Sequence, residues 1–277
     1  MNEQPTSNRW AEFFNEGFFG YGEKGDFTYF SFWHFLPIIL LITAIILTYI
    51  YRDKIKNSKH EKTFRLLLGL SMIIIEMSYY WRLLYIGNSD LGERTLLSRL
   101  PFQICIGANI IAILMILTLN KHMFDIDVFI CLTCGILPLI LPAVISRTGP
   151  AYYRYYQFWG EHIIPIYCVF YMMFVKDYKY DIKNVYKPII YLLVLGSICI
   201  YANYKIPTGT FMYLQGNDLG DAITSMLPNN QFGRYFIFMG VFLLLFGIEF
   251  LIFYFVRKYK NKKSNDNELI GEDDKVN

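Results

Sequence analysis

Long apolar stretches alternate with short polar connections along most of the chain. Seven of them approach or exceed the length that predicts a membrane span. They are Phe30–Tyr51, Phe64–Ile86, Leu100–Leu119, Val128–Ile145, His162–Val175, Pro188–Tyr204 and Tyr235–Val256, and the fifth is expected to begin earlier, near Phe158. The pattern predicts an all-α, polytopic membrane protein with seven transmembrane helices in one membrane domain, residues 30–256.

The two ends of the chain differ from the spans. Residues 1–29 are polar, mildly acidic and aromatic. They contain no basic segment followed by an apolar run, so no cleavable signal peptide is predicted. Part of this extracellular segment, residues 10–19, is amphipathic enough to lie at a membrane interface, and a short ordered lead-in fits equally well. Residues 257–277 are basic and then acidic, which predicts a cytoplasmic anchor with a disordered end.

The charge distribution sets the predicted orientation. Only 18% of the 277 residues are charged, less than the roughly 25% of soluble domains. If the chain begins outside, 16 Lys and Arg residues fall in cytoplasmic segments and 8 in outer ones. The N-terminus is therefore predicted outside and the C-terminus in the cytoplasm, in a multi-pass protein of the plasma membrane. The net charge of +3 comes from loops and tail and indicates no nucleic-acid partner.

Three reactive side chains occupy matching positions in this topology. His34, Cys105 and His162 each lie about one turn inside a span that enters from the outer face, so they are expected roughly 6–8 Å below the outer helix ends. Ionisable groups inside a membrane are costly and are therefore candidates for function. Cys105 is either a nucleophile, favoured as a thiolate by its helix N-terminus, or a small apolar filler. Each histidine is either a general base or an interfacial group bonded to a neighbouring helix.

Further polar side chains are expected at the same depth: Gln103, Asn109, Glu76, Arg82 and Asn203. Glu76 is expected to pair with Arg82, a histidine or a hydroxyl group. Gln103 could stabilise an oxyanion or join two helices. The longest outer loop, between Lys205 and Arg234, has the length of a lid over this layer.

The sequence predicts neither a metal site nor a cofactor. All five cysteines lie in apolar spans, and the pair Cys131 and Cys134 has zinc-like spacing without a second Cys or His pair. Patterns of nucleotide hydrolases and of standard metalloproteases are also missing from the sequence.

Short motifs in three spans resemble the YwaF family of bacterial integral membrane proteins. They are Phe30-Ser-x-x-His34, Leu100-Pro-x-Gln-x-Cys105 and Phe158-x-x-x-His162, and the outer loop from Asn203 through Gly209 to Leu214 and then Leu227-Pro228 is similar too. That family is related to the transmembrane-protein-164 acyltransferases. The resemblance implies Cys105 as acyl acceptor, with His162 or His34 as its base, and membrane phospholipids and lysophospholipids as substrates.

Two other functions fit the same polar layer. A permease, a channel-like subunit or a small-ligand receptor would use it as an outer pocket. In a structural membrane partner it would only fix helix packing. The inner halves of spans three to seven show little polarity, which disfavours a transport path. Hydrolase and transferase are not distinguished, and no oligomeric state is predicted.

Overall fold

The computed structural model of the protein describes residues 18–19, 27–86, 100–140, 142, 149–216 and 224–273. Within these ranges the chain forms helices and no strands. The seven long helices are α1 (Phe32–Ile50), α2 (Glu61–Ile86), α3 (Ile104–Thr118), α4 (Lys121–Ile140), α5 (Tyr153–Val175), α6 (Tyr186–Lys205) and α7 (Gln231–Asp273). A five-residue helix, Arg52–Lys56, and two 3₁₀ turns, Ile182–Asn184 and Phe211–Tyr213, complete the described secondary structure. The predicted all-α membrane class is confirmed.

Six of the seven helices are long and apolar enough to cross a membrane, and α3 is the exception. Its 15 residues extend about 22 Å, short of the roughly 30 Å hydrocarbon core. Gln103, which precedes the helix, has an extended backbone. Because extended chain covers up to about 3.5 Å per residue, the non-helical residues 100–103 can make up the missing length. Cys105 therefore lies in the first turn of a helix that begins below the end of the bundle.

Helix α4 begins seven residues before the predicted Val128. Asn120 explains this start, because its Oδ1 accepts hydrogen bonds from the backbone N–H groups of His122 (2.8 Å) and Met123 (3.3 Å), as an N-cap residue does. Leu119 caps α3 in a left-handed conformation, so the two helices are joined by only two residues. Hydropathy alone had placed Asp125 and Asp127 in a loop, and both are buried in α4.

Helices α5 and α7 also differ from their predicted bounds. Helix α5 begins at Tyr153, so His162 lies nine residues inside it, about 14 Å rather than one turn. Helix α7 does not end at Val256 but continues to Asp273. The segment predicted as disordered is therefore helical over most of its length. Its Lys, Arg and Glu residues are good helix formers, and no proline interrupts it.

Helices α3, α4 and α5 form the centre of the bundle, where each packs against the other two. Helices α1 and α2 pack on α5, and α6 and α7 pack on α4. The outer helices leave broad apolar faces exposed, as expected of surfaces that contact lipid. The core therefore lies around α4, which carries the largest buried share of the candidate spans.

The connections predicted to be cytoplasmic meet at one end of the bundle. Lys56 pairs with Asp177, and the Nζ of Lys176 lies 2.8 Å from Oε1 of Glu61. Lys187 Nζ donates to Oδ2 of Asp125 at 2.5 Å. These ion pairs join the first, third and fifth connections, as the alternating topology requires. Which end faces the cytoplasm stays a prediction from the loop charges, and "inner" and "outer" below follow it.

Candidate functional site

The Cys105 and His34 side chains and the backbone of His162 all lie against one segment of α4, residues 134–139. Cys105 Sγ contacts the carbonyl oxygen of Cys134 at 3.9 Å. His34 Nε2 lies 2.8 Å from the carbonyl oxygen of Leu139. The backbone of Gly135 faces α5, because a Cβ on this glycine would lie 3.6 Å from the carbonyl oxygen of His162. Helices α1, α3 and α5 thus bring the predicted residues to less than two turns of a fourth helix.

Both ring nitrogens of His34 are engaged with backbone groups. Nδ1 accepts a hydrogen bond from the N–H of Phe30 at 3.0 Å, which leaves Nε2 to donate to Leu139. The side chain is 1% exposed and packs beside Trp159, with ring centroids 5.8 Å apart. This arrangement uses the whole hydrogen-bonding capacity of a neutral imidazole. His34 therefore fixes the start of α1 against α4 and keeps no free lone pair.

His162 is arranged differently. Its Nδ1 lies 2.8 Å from the carbonyl oxygen of Phe158, one turn earlier in α5, so Nδ1 carries the proton and Nε2 the lone pair. Within the described part of the chain, Nε2 makes no hydrogen bond. A ring held by one nitrogen with the other available has the form of a general base. Of the two predicted histidines, His162 alone has this form.

Cys105 is the most accessible of the five cysteines, all of which lie in the described residues. It is partly exposed, whereas Cys131, Cys134, Cys168 and Cys199 are buried. Its thiol contacts Cys134 O and neither imidazole. Proton transfer to His162 therefore requires a change of the thiol rotamer or an intervening water.

A cluster of carboxyl and amide groups lies beside Cys105. Asn109, one turn deeper on the same face of α3, donates from Nδ2 to Oε2 of Glu76 at 2.9 Å. Glu161 of α5 accepts from Nε2 of Gln157 at 2.7 Å. Both carboxylates are within electrostatic reach of the thiol and of each other. The cluster joins α2, α3 and α5 around the predicted nucleophile.

Glu76 was expected to pair with Arg82, a histidine or a hydroxyl group, and its observed partner is instead the Asn109 amide. The Nε of Arg82 donates instead to the carbonyl oxygen of Phe19 at 2.6 Å. The nearby N–H of Tyr153 donates to the carbonyl oxygen of Phe18 at 2.7 Å. The six-residue separation explains the outcome, because Glu76 and Arg82 lie on different faces of α2. Arg82 therefore joins the end of α2 to the N-terminal segment, of which the structure describes only residues 18–19 and 27–29.

Gln103 and Asn203 hold the outer loop by its backbone. Gln103 donates from Nε2 to the carbonyl oxygen of Thr210 (3.1 Å) and accepts at Oε1 from the N–H of Met212 (3.0 Å). Asn203 bonds in the same reciprocal way to the N–H (3.0 Å) and carbonyl (3.1 Å) of Phe211. Met212 is left-handed, with φ 56°. Both ends of the Gln103 amide thus bond the loop backbone, so Gln103 acts as a clamp on the loop.

Two further polar groups of this cluster are not among the residues predicted from the sequence. They are Glu161, which adjoins His162, and Arg154, which precedes the predicted start of the fifth span. Arg154 Nη1 lies 3.8 Å from Oε2 of Glu161, and its guanidinium lies 4.7 Å from the centre of the Tyr79 ring. The spacing of Arg154, Gln157 and Glu161, three and four residues, is the signal that would have placed them on one helix face.

Two further carboxyl groups, one buried and one half-buried, lie in the inner half of the bundle. Asp127 of α4 is fully buried, and neither of its oxygens is hydrogen-bonded within the described residues. Glu249 of α7 accepts at Oε1 from the hydroxyl of Thr133 at 2.6 Å. The expectation of little polarity in the inner halves of spans three to seven is therefore wrong. It failed because Asp127 was assigned to a loop and Glu249 is a single carboxyl in a strongly apolar stretch.

The fold and the polar cluster define a class, a multi-pass helical membrane protein with a buried cysteine–carboxyl–histidine layer near one end of its bundle. The sequence model of the TMEM164 family matches residues 29–254, which include every long helix apart from the last part of α7. The chain belongs to the TMEM164 family. Neither the comparison with curated proteins nor that with solved structures gave a match.

Proposed function

We propose that this protein is a membrane acyltransferase that moves fatty acyl chains between phospholipids through a thioester on Cys105. The observation that carries the proposal is the position of Cys105. It is the most exposed of the five cysteines, it lies in the first turn of α3, and the Glu76 and Glu161 carboxylates are within electrostatic reach of its thiol. The resemblance to the YwaF and transmembrane-protein-164 families supports the same assignment.

The chemistry follows from the available groups. His162 Nε2 takes the thiol proton, and the thiolate attacks the carbonyl carbon of a phospholipid ester. The ester C–O bond breaks, and the lysophospholipid oxygen leaves with the proton from His162. A second lysophospholipid then gives its hydroxyl proton to His162 and attacks the thioester, whereupon the C–S bond breaks and the thiolate returns. The carbonyl carbon is transferred without oxidation or reduction.

The predicted depth supports a lipid substrate. Phospholipid esters lie just below the headgroups, and Cys105 lies in the first turn of α3, at the predicted outer end of that helix. Backbone N–H groups in the first turn of α3 have no partners within the helix and are suited to an oxyanion. We assign His162 as the base rather than His34, because both nitrogens of His34 are engaged.

The decisive experiment uses purified protein in nanodiscs that contain a phosphatidylcholine with a labelled acyl chain. Incubation should add one acyl mass that neutral hydroxylamine removes and that peptide mapping places on Cys105. Lysophospholipid should then discharge the adduct into labelled product. Cys105→Ala should lose both adduct and product. Cys199→Ala is the matched control, because it removes a buried thiol at the same end of the bundle, whose Sγ contacts the carbonyl oxygen of Phe102 at 3.1 Å. Transfer that persists in Cys105→Ala contradicts the proposal.

The buried carboxyl group of Asp127 favours a second candidate, a proton or cation permease. Asp127 lacks a hydrogen-bond partner among the described residues, and intramembrane carboxyls of this kind mark ion paths. A permease predicts that Cys105→Ala keeps, and Asp127→Asn loses, ion flux in proteoliposomes that contain a pH-sensitive dye. Absence of flux from the wild-type protein rules against this candidate.

A further inference from the structure

A groove of about 590 Å³ lies at the outer end of the bundle between α6 and the start of α7. Helix α6 contributes residues at spacings of three and four, Ser197, Ile200, Tyr201 and Tyr204, which form one helix face. The start of α7 contributes Phe232. Since α6 turns about 100° per residue, this face is opposite the one that holds Cys199 and Asn203 against the loop and the start of α3. The groove is therefore separate from the Cys105 site.

The groove opens toward the surface that would contact lipid. Tyr201 and Phe232 are 64% and 62% exposed, although both lie in candidate membrane spans. Ile200 and Phe232 offer an apolar wall, and the tyrosine hydroxyls lie at the level of the helix ends. Aromatic residues in this position are typical of the membrane interface. An occupant must therefore combine an apolar chain with a polar head.

The polar side chains that line the described part of the groove are neutral hydrogen-bonding groups, with a cation beside them. Asn229 lines it, and Asn230 uses its Oδ1 to accept from the N–H of Gly233 at 2.6 Å, which leaves the amide N–H₂ of Asn230 for a ligand. The Lys205 ammonium lies at the rim, 5.8 and 5.4 Å from the ring centres of Tyr201 and Tyr204. Among the described residues, none that lines the groove is acidic. A cation and amide donors complement the phosphate and ester oxygens of a glycerophospholipid.

We propose that this groove binds one glycerophospholipid of the surrounding leaflet, with its phosphate toward Lys205 and an acyl chain along Ile200 and Phe232. The bound lipid also touches the element that holds the outer loop. Gln215 lines the groove, donates to the carbonyl oxygen of Gly209 at 2.5 Å, and accepts from Nε2 of Gln231 at 3.0 Å. The same loop is clamped to α3 by Gln103. The lipid thus stabilises the loop from the face opposite Cys105.

The test uses nanodiscs of dioleoyl phosphatidylcholine that contain a small fraction of a phosphatidylcholine with a photoreactive acyl chain. Labelled peptides should include residues 197–204 and 229–232. The combination of Tyr201→Ala and Phe232→Ala should lower this labelling several-fold. Phe236→Ala is the matched control: Phe236 lies one turn further along α7, is 69% exposed and does not line the groove. Its removal should leave the labelling unchanged.

Surface changes keep the proposal testable if the double variant does not fold. Lys205→Gln and Asn229→Leu alter only exposed groups, and each should weaken labelling and its competition by unlabelled phosphatidylcholine. Labelling of Cys105→Ala should equal that of the wild type, because the site does not depend on turnover. Equal labelling in the groove variants, or equal labelling of the exposed face of α1, shows ordinary lipid contact and overturns the proposal.

Discussion

The two histidines should respond in opposite ways to truncation, His34 in stability and His162 in turnover. His34→Ala removes two hydrogen bonds and leaves the N–H of Phe30 and the carbonyl of Leu139 without their partner. The Leu139 carbonyl is in a buried hydrogen bond, and leaving it unsatisfied costs about 1–3 kcal/mol, whereas the loss of the part-buried bond from Phe30 adds about 0.5–1.5 kcal/mol. His162→Ala removes one side-chain bond to Phe158, whose carbonyl keeps its helical partner, and that bond contributes about 0.5–1.5 kcal/mol. Both changes leave a similar cavity, so the difference between their losses of unfolding free energy measures the contribution of the hydrogen bonds.

The assay pairs thermal unfolding in detergent with single-turnover formation of the Cys105 thioester. His162→Ala should unfold near the wild-type temperature and form the thioester about 10²–10⁴-fold more slowly, the usual contribution of a general base. His34→Ala should unfold at a clearly lower temperature. At a temperature where it is folded, it should keep most of its rate of thioester formation. A stable but inactive His34→Ala protein, or a fully active His162→Ala protein, refutes the assignment of roles.

Two further predictions concern packing and charge. Gly196→Ala should destabilise the bundle, because its Cβ would lie 2.1 Å from the ring of Tyr235. Gly240→Ala meets nothing within 4 Å and should stabilise α7 by about 0.5–1 kcal/mol. The unfolding temperatures of the two variants test this, and equal shifts contradict the packing. At the inner end, hydrogen bonding and charge from Lys56 lower the pKa of Asp177 below its usual 3.8, so the pair stabilises the fold above that pH and the effect is lost as pH falls through the lowered value. The difference in unfolding temperature between wild type and Asp177→Asn should therefore be present at pH 7, shrink in high salt and vanish in strong acid; a difference independent of pH and salt speaks against the ion pair.

The sequence by itself determined the class, the helices and the candidate residues. Apolar length is a local property, because a membrane span must satisfy its backbone within one segment. The seven helices could therefore be found without knowledge of their neighbours. Cys105 and His162 also stood out locally, as reactive groups in stretches where such groups are costly. Helix ends were less well predicted where a capping residue rather than hydropathy determines the first residue of the helix. Asn120 determines the start of α4 in this way.

Only the tertiary structure decided which partners these residues have. His34 bonds to the backbone carbonyl of Leu139, which is 105 residues away. Gln103 bonds to the carbonyl of Thr210, which is 107 residues away. Such contacts depend on helix rotation and register, which vary continuously with packing and leave no local signature. Packing between helices also decided that Glu76 bonds with Asn109 rather than with Arg82. It likewise placed Glu161 within electrostatic reach of Cys105. Residue chemistry follows from local sequence, whereas the depth of His162 and the roles of base, clamp and anchor depend on where helices begin and how they pack.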